Sequence, residues 1–159
     1  MPMSLQAALK VANEELIKRF CGSRKIEYTI ARIFNMYGGE DKFSVINKIK
    51  KSYADNEPLN IINRGISIRD YIHINDVVNV YLKLLEIESL PKILNIASGN
   101  GKRIHDILNF LKSKSIQIQT INIVRHELKA SIANTDLLNA LIDTTNFIQV
   151  EDFLLKELQ

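Results

Sequence analysis

An α/β fold is predicted by two observations. Short β-rich runs at 26–33, 59–62 and 93–97 alternate along the chain with stretches of helical apolar spacing. Breaks carrying Gly or Pro separate them, at Cys21-Gly22-Ser23, Asn56-Glu57-Pro58 and Ser98-Gly99-Asn100-Gly101. No span is rich enough in Pro or Ser to be an interdomain linker. The 159 residues, 1–159, are therefore read as a single domain.

Each element has its own local signal. Ala8, Val11, Ala12, Leu16 and Phe20 fall at helical spacing. They predict a helix over 4–20, capped by Ser4 and stopped at Cys21-Gly22-Ser23. Residues 26–33 alternate and form a strand. A loop leaves it at 34–39. A helix over 43–54 follows, with Phe43, Ile46, Ile49 and Lys50 along one face. Pro58 ends that region, and 59–62 is a short strand. Asn63-Arg64-Gly65 turns the chain into a mixed segment, Arg69-Asp70-Tyr71-Ile72-His73-Ile74-Asn75-Asp76. That segment is extended and feeds a helix over 76–87, capped by Asp76. A buried strand at 93–97, a turn at 98–101, a helix at 103–114 and a half-exposed strand at 116–124 come next. Short helices near 135–142 and 149–158 close the chain.

Composition narrows the function. With 46% hydrophobic and 25% charged residues, the chain is ordinary for a globular protein and can bury roughly two thirds of its unfolded surface. The net charge of +3 suits an anionic small ligand. It falls short of a nucleic-acid footprint, because Lys and Arg are interleaved with Asp and Glu and no aromatic-bearing basic stripe occurs. Cys21 is the single cysteine, so the chain forms no internal disulfide and no thiolate metal site, and a reducing cytoplasm is expected. No apolar run approaches the ~20 residues of a membrane span.

Several positions invite chemistry. Asn35 and Tyr37 follow a strand C-terminus, where open α/β sheets bind ligands; read alone, a polar turn completed by Gly38-Gly39 accounts for them equally well. The Arg69 guanidinium could clamp a diphosphate, or simply pair with Asp70 or a neighbour. His73 has no second His or Cys at metal-ligand spacing and reads as a structural histidine. Residues 98–103 put glycines, Lys102 and Arg103 before a helix, yet match neither GxxxxGK[ST] nor GxGxxG, so a plain turn is favoured. Arg125 and Glu127 read as loop charges.

In order and spacing these blocks resemble the C-terminal half of the extended short-chain dehydrogenase/reductases, the NAD-dependent nucleotide-sugar epimerases and dehydratases. Among these, the pattern resembles that of UDP-glucose and UDP-glucuronate 4-epimerases. Pro2 to Lys10 parallels P-x-S-x-Y-x-x-x-K, and Arg32 to Gly38 parallels R-x-F-N-x-Y-G. Arg69 to Asp76 parallels R-D-Y-I-H-V-x-D, and Asn95 to Gly99 parallels N-x-x-x-G. Arg125 to Glu127 and Ala133-Asn134 are weakened forms of R-x-G-D and A-D.

The resemblance implies a partial Rossmann-like fold with the small nucleotide-sugar-binding subdomain. It implies a UDP-sugar partner held by Asn35, Arg69, Tyr71 and Arg125, and NAD as the family cofactor. Lys10 would meet the nicotinamide ribose and assist the catalytic phenol. His73 and Asp76 would be structural.

Two departures qualify this expectation. The cofactor-binding half, with its glycine-rich turn, is expected to be absent, so NAD is not expected to bind this chain alone. Gln6 stands at the catalytic Tyr position. A carboxamide exchanges no proton near neutrality, and loss of a general base costs about 10²–10⁴-fold. The expected function is the nucleotide-sugar-binding portion of an epimerase, inactive alone. The alternatives are a non-catalytic UDP-sugar-binding module, or an oligomerising partner of a separately encoded cofactor-binding half.

Overall fold

The computed structural model describes residues 4–159, so Pro2 and Met3 of the first motif lie outside the described residues. Ser4 caps helix α1 (Leu5–Arg24), its hydroxyl accepting from the Ala7 N–H at 3.2 Å. The helix runs through Gly22, beyond the stop predicted at 21–23. A helical glycine costs only about 1 kcal/mol, too little to end a helix that can cap one turn later. The cap is Lys25, in the left-handed conformation with φ 55°.

Only Cys21 of α1 is buried. Leu5, Leu9, Val11, Leu16 and Phe20 are each more than half exposed. The predicted helical spacing is present, but its apolar residues meet little of the described structure. The helix is tethered instead by Arg32, whose Nε and Nη2 donate to the two Glu14 carboxylate oxygens at 2.8 and 2.6 Å.

Strand β1 (Ile30–Ile33) begins four residues later than its alternation suggests, and pairs in parallel with β5 (Ile93–Ile96), Ile30 opposite Ile93. One residue on, β2 (Asn35–Tyr37) replaces the predicted loop. It pairs in parallel with β4 (Ile68–His73), Asn35 opposite Tyr71 and Tyr37 opposite His73. A three-residue strand leaves no periodicity to read; its partner strand defines it. The first half of β4 also pairs with β6 (Gly101–Arg103), antiparallel, and with β8 (Ala130–Ser131), parallel. β6 takes up the end of the predicted turn at 98–101 and the start of the predicted helix at 103–114; like β2, both strands are too short to show a periodicity. β3 (Leu59–Ile62) pairs in parallel with β7 (Thr120–Ile123), shorter than the predicted 116–124.

Five further helices are described: α2 (Val45–Asp55), α3 (Ile74–Leu84), α4 (Ile104–Ser113), α5 (Asp136–Leu141) and α6 (Val150–Leu158). α2 is capped by Ser44, so Phe43 lies outside it and is 87% exposed. α3 is capped by His73 rather than Asp76, so it starts two residues before the predicted position. Two apolar clusters hold these layers together. One joins Tyr37, Ile46, Ile49, Leu59, Ile107, Leu111 and Leu154. The other joins Ile72, Val77, Val80, Leu94, Ile96 and Leu138. Each such side chain contributes about 1.5–3 kcal/mol on burial. No helix among the described residues is long and apolar enough to cross a membrane.

Candidate functional site

β4 organises the site through the two-residue period of a strand. Arg69 and Tyr71 share the face that lines a cavity of 510 Å³, together with Asn35, Lys48, Ser67 and Glu127. Asp70 points the other way and is fully buried. Its carboxylate accepts from the Ser98 N–H at 3.0 Å, the Ser98 hydroxyl at 2.7 Å, the Gly99 N–H at 3.0 Å and the Ala133 N–H at 3.2 Å. The turn at 98–99 is thus spent on Asp70 and offers no phosphate nest. Lys102 is likewise engaged, by Glu151 at 2.8 Å.

Arg69 does not pair with Asp70. Its Nη1 donates to the Ile68 carbonyl at 2.8 Å and its Nη2 to Glu127 Oε2 at 2.9 Å. Asn35 donates from Nδ2 to the Asp70 carbonyl at 2.7 Å, which fixes its carboxamide beside Tyr71 across the β2–β4 pairing. Burial pushes the Tyr71 phenol up to about 12, against the opposing pull of Arg69. At neutral pH it is a hydroxyl, able to donate and accept, and not a base.

At the C-terminal end of β4, His73 and Asp76 serve the fold. The His73 Nδ1 accepts from the Asn75 N–H at 3.2 Å, which requires it unprotonated there. Burial also lowers the imidazole below its ordinary range. Asp76 lies inside the first turn of α3 and accepts from the Ile148 N–H at 2.9 Å.

The other predicted site residues fall outside this cavity. Lys10 lines a separate, shallower hollow of 350 Å³ with Ile33, Phe34, Asn35 and Ser131. Asn35 borders both spaces, so it links Lys10 to the cavity of Arg69 and Tyr71. Gln6, one helical turn before Lys10, is exposed and lines neither. Arg125 is exposed and also lines neither. Its backbone is gripped by Asn63, which donates to the Arg125 carbonyl at 2.6 Å and accepts from its N–H at 3.1 Å.

Glu127, read from sequence as a loop charge, is instead a lining residue. Its only signal was its place two residues beyond Arg125. Lys48 and Ser67 lie in no motif, and nothing in the sequence marked them.

The glycines bear on the implied dinucleotide. A phosphate cradle needs glycines facing open space. Here a Cβ on Gly38 would meet His73, on Gly39 Ile74, on Gly65 Ile104 and His105, on Gly99 Thr135, and on Gly101 Ile68 and Ile132. Gly22 sits within α1. These residues do not fit the phosphates of NAD by the glycine-rich route.

The model of the NAD dependent epimerase/dehydratase family matches residues 1–97. A dTDP-4-dehydro-6-deoxyglucose reductase from Escherichia coli is 32% identical over 87 residues, covering 52% of this chain and 28% of that protein. The UDP-glucuronic acid 4-epimerase from Bacillus cereus, solved with UDP-glucuronic acid and NAD, superimposes with a TM-score of 0.87 at 21% identity. The match covers 99% of this chain and 52% of that one. The UDP-glucose 4-epimerase of Thermus thermophilus, solved with NAD, gives a TM-score of 0.82 at 19% identity, covering 99% and 55%. At these identities the two structures establish likeness of fold. The chain spans 28–40% of the length of the curated relatives it matches, and about half that of the solved structures.

Proposed function

This chain belongs to the NAD dependent epimerase/dehydratase family, and from that we propose that it is the nucleotide-sugar-binding portion of an epimerase resembling UDP-glucose 4-epimerase. The observation that carries the reading is the shared cavity of Arg69, Tyr71 and Asn35 at the meeting of β2 and β4. A guanidinium fork suits a diphosphate, and a neutral phenol and a fixed carboxamide suit sugar or ribose hydroxyls. Lys48 adds a second cation to the lining.

On this reading the chain alone binds and orients a nucleotide-sugar and turns nothing over. In the family the cofactor takes up and returns a hydride. The residues here do not fit its phosphates by the glycine-rich route. Lys10, on the far side of Asn35, is the one residue carried over toward the cofactor. Gln6 beside it supplies no proton transfer near neutrality.

Calorimetry tests the reading. UDP-glucose or UDP-glucuronate binds the wild-type chain, and Arg69→Ala weakens binding by about tenfold or more, the loss of a charge-assisted bidentate contact. No heat at millimolar ligand, with Arg69→Ala indistinguishable from wild type, removes it.

The exposed apolar residues of α1 favour a second role alongside binding. The helix would pack against a second copy, or against a polypeptide carrying a cofactor-binding half.

A further inference from the structure

The charges around the cavity balance. Lys48 and Arg69 contribute two positive charges, and Asp41 and Glu127 two negative ones. A site meant for a dianionic diphosphate gains from a positive excess, which this lining lacks. Asp41 is committed elsewhere: its carboxylate accepts from the Phe43 N–H at 2.7 Å and the Ser44 N–H at 3.1 Å, organising the turn into α2. Glu127 is the carboxylate placed directly on the arginine.

Its position is held from two sides. Oε2 accepts from Arg69 Nη2 at 2.9 Å, and Oε1 from Asn63 Nδ2 at 3.0 Å. Asn63 is itself fixed, since the same side chain clamps the Arg125 backbone in both directions. The next residue, Arg64, donates its N–H to Asn122 Oδ1 at 2.6 Å, which ties the turn to β7. Glu127 is therefore presented to Arg69 by a braced turn. Both partners are about one-fifth exposed, so water screens the pair only in part.

We propose that Glu127 is an internal counter-ion that sets, and lowers, the affinity of this cavity for a diphosphate. The inference rests on the nucleotide-sugar reading above. A diphosphate approaching Arg69 must either displace the carboxylate or settle beside it, and each alternative opposes binding. Removing the negative charge leaves the lining with a net charge of +1 and weakens the hold on the Nη2 edge of the guanidinium.

The test is titration calorimetry of the whole chain with UDP-glucose and, separately, UDP. Four proteins are compared: wild type, Glu127→Gln, Arg69→Ala and the double variant, each checked for folding by thermal melting. Glu127→Gln is expected to bind both ligands about two- to fivefold more tightly than wild type, the fold-change of a partly screened ion pair. The double variant is expected to lose that gain, because the counter-ion acts only through Arg69. Should Glu127→Gln not fold, Glu127→Ala carries the same comparison. Equal or weaker binding by the Glu127 variants, while wild type binds and Arg69→Ala does not, overturns the inference and leaves the nucleotide-sugar reading standing. Absence of binding by wild type and every Glu127 variant overturns both.

Discussion

Ser98 donates to Asp70 twice, from its backbone N–H at 3.0 Å and from its hydroxyl at 2.7 Å. With the N–H groups of Gly99 and Ala133, this makes Asp70 the acceptor that binds β4 to the turn after β5 and to the segment after β8. Its own carbonyl accepts from Asn35. The charge that holds the site together is thus the one side chain of the Arg69–Tyr71 stretch that faces away from it.

Replacing Asp70 by Ala leaves three backbone donors and a hydroxyl without their acceptor. The expected loss is about 3 kcal/mol or more, read from urea unfolding. Ser98→Ala removes the hydroxyl's bond to Asp70 and the one it accepts from the Asn100 N–H at 3.1 Å, and should cost about 1–2 kcal/mol. A loss under about 1 kcal/mol for Asp70→Ala would show that water replaces the carboxylate.

Gly38 and Gly22 should respond to alanine in opposite directions. Gly38 has φ 98°, and an added Cβ would lie 2.4 Å from His73 Nε2. That forces apart the edge-to-face packing of Tyr37 on His73, whose ring centroids are 5.2 Å apart. Gly38→Ala should cost about 2–4 kcal/mol. Gly22 is helical with nothing within 4 Å of a Cβ, so Gly22→Ala should stabilise by about 0.5–1 kcal/mol. Thermal melts separate the two, and a lower melting temperature for Gly22→Ala would count against the described course of α1.

His73 predicts a stability loss on mild acidification. Burial holds its imidazole below the ordinary histidine value, against the attraction of Asp76 and Glu157. The unfolded chain therefore takes up the proton first. Stability is intact above about pH 6.5 and declines as pH falls from there through the depressed folded value. His73→Asn keeps an N-cap and cannot titrate, so its pH profile in that window should be flatter than wild type. Identical profiles would remove His73 as the cause. Asp76 acts in the opposite sense. Burial raises its carboxyl, opposed by the Ile148 N–H, so its contribution is greatest below about pH 3.9 and falls as pH rises through the raised value.

No turnover is expected when the chain is mixed with UDP-glucose and NAD. On the proposed reading Gln6 takes the position of the family's phenol, and Tyr71, its phenol pushed up to about 12 by burial, is a poor substitute base. A coupled assay for UDP-galactose reads this directly, and formation above the buffer rate would contradict the assignment of Gln6.

α1 is expected to drive association. Light scattering should show a concentration-dependent rise in mass, and hydrophobic dye should bind the dissociated chain. Leu9→Glu with Leu16→Glu should reduce both, since each leucine is more than half exposed and neither contributes to a described core. A stable wild-type monomer that binds no dye would leave this surface without a partner.

What the sequence determined by itself is local. The α/β alternation, the cap at Ser4, the strand at 59–62 and the order of the blocks around Asn35, Arg69 and Asn95 all follow from short-range patterns. They report propensity and turn chemistry that act over a few residues. Only the tertiary structure decided the rest, because it depends on partners distant in sequence. β2, β6 and β8 exist as strands because β4 pairs with them. His73 displaced Asp76 as the cap of α3, while Asp76 found its donor at Ile148, 72 residues away. Above all, Arg69 was legible as a guanidinium suited to a diphosphate. That a carboxylate 58 residues later already rests on it, held there by Asn63, is a fact of packing that no local pattern encodes.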